Sequence, residues 1–445
     1  MRMRHAPSVR RTLVRLAAVF AAFVVAVTPC AAFEVQRVRA NGLEAWLVED
    51  HSQPIVAVHL AFRGGAALDP EDKVGLAAMM MALLDEGAGE LDEEAFHARL
   101  EDLAADLRFS ADRDALTASL RTLSQHREEA FALLSLALLR PRFEDKSIER
   151  VRSQMLATLK RRATDPEAVA SRRFFATVFP DHPYGRPVDG SEETLNRIGR
   201  ADLVASSRAR LARSTLVVGI AGDMTAVEAA DALTRTFADL PATAAAANVP
   251  DVKPAARGGT TVVRLAAPQS AVMFGQVGLR WSDPGFYALA IVNQVLGGGG
   301  LSSRLFEEVR EKRGLAYSVY TNPLPFDRAA LWVGRAATAN ERVAETLAVI
   351  RGEWQRLQRD GLTETEVEDA KTYLTGSFPL RLTSNSQLAG MLVSMQLQGL
   401  PIDWLDRRNT LISAITREEV NRLAATLMDP ESLTFVVAGQ PAGLE

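Results

Sequence analysis

Few side chains in this 445-residue chain are spaced for chemistry. His51, His59, His97, His126 and His182 are scattered, and no two have the separation of a helical or hairpin metal-binding pair. His97 shares a helical face with Glu93, Glu94 and Glu101, the pattern of a solvated charged face. His182, in "DHPYGRP", reads as a turn residue satisfied locally. The one cysteine is Cys30. "GGGGLSSR" at 297–304 has the glycines of a phosphate loop but not the Lys-Ser/Thr that must follow them, so it reads as a tight connection closing the helix that ends "IVNQVLG". "GLAAMMMALLDEG" reads as one helix from Gly75 to Gly87, and Ala78, Met79, Met80, Met81 and Ala82 give it no group that binds or transfers a proton.

The elements that would carry these residues come in two sets. "IGRADLVASSRARLARSTLVVGIAGD" and "ITREEVNRLAATLMDPESLTFVVAGQ" align without a gap: Ile198 to Gly222 and Ile415 to Gly439 each span 24 positions. Each is an amphipathic helix, a turn and a β-branched strand ending in Ala-Gly. "PIVAVHLAFRGGAALDPED" and "PQSAVMFGQVGLRWSDPGF" are each an alternating strand leading to Asp-Pro and then a helix. The repeats imply duplication, with residues 33–240 and 260–445 as two halves. Between them, 241–259 has the Pro, Ala and Gly content of an exposed linker. Strands cluster and long helices follow, which predicts an α+β fold: in each half a mainly antiparallel sheet covered by helices. The stretch Leu91 to Leu139 and the segment Lys146 to Arg162 show helical periodicity with charged outer faces.

Residues 1–32 differ in kind: five arginines precede an apolar run from Leu16 to Val27, then "TPCAA". This reads as a secretory signal peptide cleaved before Phe33, its apolar run too short for a membrane span. Pro29 stands where lipidation of Cys30 would want a small residue. Without these five arginines, 46 of the 51 basic residues remain against 55 acidic ones, a net charge of −9. That charge argues against nucleic acid as a partner, and an exported chain without cysteine has neither disulfides nor a thiolate metal site. Export implies the periplasm.

"GLAAMMMALLDEG", "HPYGRPVDG" at 182–190, "LGGGGLSSRLFEEVREKRGLAYSVY" at 296–320 and the duplicated halves together resemble the pitrilysin/insulinase family of zinc metallopeptidases, in its bacterial, mitochondrial-processing-peptidase-like branch. The likeness covers essentially all of the mature chain and implies two homologous halves enclosing a chamber. In catalytic members the helix after Gly-x-Ala carries His-x-x-Glu-His, two zinc ligands and a water-activating base. Gly75 and Ala77 match, and the motif falls on Ala78, Met81 and Ala82. Alanine has no lone pair to give, and a thioether is a poor zinc ligand. The glutamate ligand of a later helix is missing too: "VRSQMLATLKRR" has Ala157, Thr158 and Leu159 there. No metal is expected in this chain, with methionine and alanine filling the space of the imidazoles and the ion.

The second half keeps more. The resemblance places on Arg310 and Tyr317, in "REKRGLAY", the pair that reaches across the chamber to hold substrate near the scissile bond. A guanidinium can donate to peptide carbonyls, and a phenol can support a developing oxyanion. From spacing alone Arg310 reads as a surface helix residue and Tyr317 as a strand residue. Members of this branch act as pairs of unlike chains, one with the zinc motif and one with the Arg-Tyr pair. The implied function is that of a non-catalytic, substrate-binding subunit of a periplasmic heteromeric peptidase, with zinc in a partner bearing His-x-x-Glu-His and peptides held extended by strand addition. The alternative is a non-enzymatic scaffold or peptide-binding protein of the same descent. An active peptidase working alone would need a metal site that the sequence lacks.

Overall fold

The structure is a computed structural model and describes residues 34–245 and 248–444. The segment read as a signal peptide, 1–32, lies outside the described residues. The first half runs β1 (Val35–Ala40), β2 (Leu43–Glu49), β3 (Ile55–Arg63), α1 (Leu76–Met81), α2 (Glu93–Asp102), β4 (Asp106–Ala111), β5 (Ala115–Leu123), α3 (Arg127–Leu139), α4 (Asp145–Arg162), α5 (Pro166–Val178), α6 (Glu192–Arg197), α7 (Arg200–Arg210), β6 (Leu216–Gly222) and α8 (Ala226–Phe237). The second runs β7 (Thr260–Arg264), β8 (Gln269–Val277), α9 (Phe286–Asn293), β9 (Ala316–Pro325), β10 (Ala330–Ala339), α10 (Val343–Asp360), α11 (Glu364–Gly376), α12 (Asn385–Leu397), α13 (Trp404–Ala414), α14 (Arg417–Leu427) and β11 (Thr434–Gly439).

Two sheets result, ordered β1-β2-β6-β3-β5-β4 and β7-β11-β8-β10-β9. Apart from the extra edge strand β1, they share one plan. β2 pairs parallel with β6 as β7 does with β11, and the remaining pairings are antiparallel.

Side-chain alternation explains how each sheet is covered on both faces. On β3, Val56, Val58, Leu60 and Phe62 join the main core of the first half, under its own helices. On β8, Val272 and Phe274 do the same in the second half, as Phe435 and Val437 do on β11. The opposite faces are covered by exchange. Helix α12 of the second half lies on β6 and β3 of the first sheet, and helix α5 of the first half lies on β8 and β11 of the second. Phe174, Phe175 and Val178 of α5 thereby share a core with Ala271, Met273, Val436 and Ala438.

Sequence and contacts both fit α12 to its place along β3. Near its start, Asn385 Nδ2 donates to the Ile55 carbonyl at 3.2 Å, and at its end Arg63 Nη1 donates to the Leu397 carbonyl at 2.7 Å. That guanidinium caps the negative end of the helix. Contact in between is close: a Cβ on Gly219 of β6 would lie 2.4 Å from the Ala389 carbonyl oxygen and 2.9 Å from Leu392 Cβ. A Cβ on Gly275 of β8 would meet Phe174 Cζ of α5 at 3.0 Å.

Three expectations are corrected. The helix read over Gly75–Gly87 ends at Met81 and gives way to turns. The stretch Leu91 to Leu139 is two helices separated by the β4–β5 hairpin. Asp112 Oδ1 accepts from the Asp114 and Ala115 amides, each at 2.8 Å, and so makes the turn. The connection 241–259 is only partly exposed. Val249 and Pro254 are buried, the Val252 amide donates to the Arg328 carbonyl at 2.9 Å, and the Ala255 amide donates to the Val178 carbonyl at 2.8 Å. It is a strap bonded to both halves, where its apolar residues find cover.

The exchanged helix gives a direct test. Gly219→Val should destabilise the protein by about 1–3 kcal/mol, the usual cost of overpacking, with a lower urea midpoint. An unchanged midpoint would show that α12 can lift from the sheet at no cost.

Candidate functional site

Helix α1 is positioned from its N-terminus by a buried carboxylate. Asp69 accepts from the Gly75 amide at 3.0 Å and the Ala77 amide at 3.1 Å, and Arg210 Nη2 donates to it at 2.8 Å. Burial raises the pKa of Asp69, while Arg210 and the amides pull it down. Gly75 has φ +101°, and a Cβ there would meet Leu195 Cδ2 at 2.8 Å and the Asp189 carbonyl oxygen at 3.1 Å. Glycine is the residue that fits.

The positions where the resemblance would put zinc ligands and a base separate on this helix. Met81 is fully buried, together with Met79 and Met80, in the first-half core. Ala78 is half-buried and Ala82 is exposed. The expectation that methionine and alanine fill the volume of two imidazoles and an ion is therefore corrected. The methionines pack inward into the core, and the two alanines lie at less buried positions. On α4, Ala157 is exposed, Thr158 accepts from Arg161 Nη2 at 3.0 Å, and Leu159 is buried in the core. This donor set does not fit zinc. Among the described residues, no group of three His, Cys, Asp or Glu side chains is placed to hold a metal ion.

The histidines have local roles. His51 Nδ1 lies 2.6 Å from Asp223 Oδ1, and this contact raises the histidine pKa. His59 faces α12, and burial lowers its pKa. His97 is exposed on α2, and His126 Nε2 is 3.0 Å from Gln125 Nε2. His182 Nδ1 accepts from the Tyr184 amide at 3.2 Å, so Nε2 carries the proton toward the Pro250 carbonyl at 3.0 Å.

Arg310 and Tyr317 do come together. Arg310 lies in a π-helical turn, Phe306–Glu311, and Tyr317 lies near the start of the edge strand β9. The guanidinium carbon stands 4.6 Å from the Tyr317 ring centre and 4.7 Å from that of Phe306. Both rings lie within cation–π range of the guanidinium, whose Nε stands 3.9 Å from Glu311 Oε1. The tyrosine is 78% exposed, and Tyr320 and Leu301 are exposed as well. A second π-helical turn, Gln294–Gly298, carries the glycines against β9: a Cβ on Gly297 would lie 2.5 Å from Thr321 Oγ1. The glycine run is thus a tight connection that permits close approach. Phe306 was missed by sequence reasoning, although its i,i+4 spacing to Arg310 is the available signal.

Asp85 was missed as well. It follows α1, half-buried, and burial pushes its pKa up to about 6. Neighbouring Glu86 adds to the rise, against the opposing influence of His97 and Arg150. Arg150 is itself bonded to Glu86 and lies 3.0 Å from Glu93.

Comparison with known proteins matches residues 45–192 to Insulinase (Peptidase family M16) and residues 197–374 to the Peptidase M16 inactive domain. The "Non-peptidase homolog YmxG" of Helicobacter pylori is 28% identical over 390 residues, covering 87% of this chain and 90% of that protein. An uncharacterized zinc protease of Mycobacterium tuberculosis is 33% identical over 304 residues, 67% of this chain and 69% of its own length. Among solved structures, a peptidase M16 inactive domain from Pseudomonas fluorescens superposes with a TM-score of 0.87 at 29% identity, covering 93% of this chain and 99% of that one.

Asp85 yields a pH test. Its folded pKa of about 6 exceeds the ordinary 3.8, so the ionisation penalty is fully present above about pH 6 and relieved as pH falls to the unfolded value. Asp85→Asn should therefore be more stable than the parent by up to about 3 kcal/mol at pH 8, the gain disappearing near pH 4. Urea unfolding at the two pH values measures it; an equal difference at both would contradict the assignment.

Proposed function

The chain belongs to the insulinase (M16) family of peptidases, and from that premise we propose that it is the non-catalytic, substrate-binding subunit of a two-chain zinc peptidase in the periplasm. Its place among inactive homologues supports a non-catalytic role. The observation that carries the finer reading is the asymmetry between the two halves. The first has lost every metal-binding and basic group of its site, while the second presents Arg310 and Tyr317 in contact beside an open sheet edge.

The chemistry assigned to this chain is binding and polarisation. An extended peptide can add to a sheet edge through main-chain hydrogen bonds, which tolerates many sequences. Arg310, beside the Phe306 and Tyr317 rings, has N–H groups that can donate to peptide carbonyls. The Tyr317 hydroxyl is free to donate to an oxygen that gains charge. Zinc and the base belong to a partner chain carrying His-x-x-Glu-His, and the two chains together close a chamber over unfolded peptides. Residues 1–32, with five arginines before a short apolar run, support export of this assembly to the periplasm. A purely structural relative is the competing reading, because the arginine stack also stabilises this chain's own surface.

Two variants separate them. Tyr317→Phe keeps the ring and the stack but removes the hydroxyl, so peptide turnover by the assembled pair should fall at least about tenfold with assembly intact. Arg310→Ala should likewise lower turnover without dissociating the pair. Unchanged turnover in both would leave the structural reading. Separately, the isolated mature chain should keep no stoichiometric zinc after dialysis, and tight one-to-one zinc would overturn the lost-site assignment.

A further inference from the structure

A cleft of about 570 Å³ opens where the end of β3, the turn before α1, the β4–β5 turn, one face of α7, the strap and the β9–β10 turn converge. Its size lies in the range of small-molecule sites. Five cationic side chains line it against three carboxylates, Asp114, Asp202 and Asp327. Three of the cations are paired: Lys73 with Asp202, Arg210 with Asp69 and Arg328 with Asp251. Among the described residues, Arg63 and Arg113 have no carboxylate within 4.0 Å.

These two differ in what they leave available. Arg63 spends both terminal nitrogens on the last carbonyls of α12. Arg113 stacks on Phe175 at 4.0 Å and donates Nε to the Tyr184 carbonyl at 2.9 Å. Its two terminal nitrogens have no acceptor among the described residues. Burial lowers the pKa of this half-buried guanidinium, while the nearby charges of Asp114 and Asp112 raise it. Ser206, 6% exposed on the α7 wall, lines the cleft and has a buried hydroxyl with no hydrogen-bond partner among the described residues. The neighbouring acids are engaged or held back. Asp114 accepts from the Tyr184 hydroxyl and, at 3.0 Å, from the Asp327 amide, while burial raises Asp327 above the ordinary carboxylate range. Leu68, Leu76 and Val249 supply apolar wall.

We propose that this cleft binds a small organic carboxylate with an apolar body, the chemistry of a short peptide's free C-terminus, with the two terminal nitrogens of Arg113 taking the carboxylate as a bidentate pair. The planar guanidinium, already fixed by its stack and its Nε bond, presents two parallel N–H groups at little further entropic cost. The apolar body would lie along the leucine and valine wall. The site is independent of the two-chain reading, since all of its groups come from this chain.

Isothermal titration of the full mature chain with N-acetyl-leucyl-leucine, its C-terminal amide and 4-methylpentanoate tests the proposal. The acid should bind at least about tenfold more tightly than the amide, because the amide cannot form the charged pair. Equal affinity for 4-methylpentanoate would place the natural ligand among simple carboxylates, and weaker affinity among peptides; both keep the assignment. Arg113→Gln should weaken the acid at least about tenfold. Since Arg113 also packs on Phe175, Ala205→Trp provides a second test. It blocks the cleft from the exposed side of α7 without touching that stack, and it should abolish binding in a chain that melts as the parent does. Equal affinity for acid and amide, acid binding that survives Ala205→Trp, or no binding at millimolar acid would overturn the proposal.

Discussion

Everything else in this molecule depends on how its two sheets are buried. Each sheet meets the helices of its own half on one face and a single helix of the other half on the opposite face. A sheet with both faces apolar cannot leave one of them in water, so neither half is complete without the other. The contact is built for close approach, with small side chains such as Ala57 and Ala61 and a bare glycine at 219 beneath α12. Hydrogen bonds from Asn385 and Arg63 then fix the helix at the two ends of β3.

That frame determines where the chemistry sits. The β9–β10 turn of the second half reaches the first half through Tyr184, whose hydroxyl donates to Asp114 and accepts from the Arg328 amide at 3.0 Å. Helix α1 is held independently, by a buried carboxylate-guanidinium pair that fixes its first turn. Its first turn is thus fixed without any contribution from Ala78 or Ala82. Gly75, Asp69 and the inward methionines stabilise the helix, while Ala78 and Ala82 lie at its less buried side.

Much of this was legible in the sequence. The aligned segments ending at Gly222 and Gly439 announced two copies of one plan, and apart from β1 the sheets share it. The hairpin inside Leu91 to Leu139 was hidden because its strands lie between two helices, with alanine and leucine, which favour helices, at most of the buried positions of β5. The exchange of α5 and α12 was not legible, because an apolar helix face does not say which sheet it will cover. The strap's packing was missed for the same reason, its composition being that of a solvated linker. At the site, Arg310 and Tyr317 could be paired only through family resemblance. Their contact arises from the turn that folds the π-helical segment back onto β9, and Phe306 joins it as a third member that spacing alone did not single out.

The exchange also speaks to origin. A half-length ancestor with this plan would have had one bare sheet face and one unplaced helix, and two such chains would have satisfied each other about a twofold axis. Joining them end to end turned association at a dilute concentration into an internal event, and the need for symmetry lapsed with it. From then on the two copies were free to diverge inside a shared frame, as the extra edge strand β1 of the first shows.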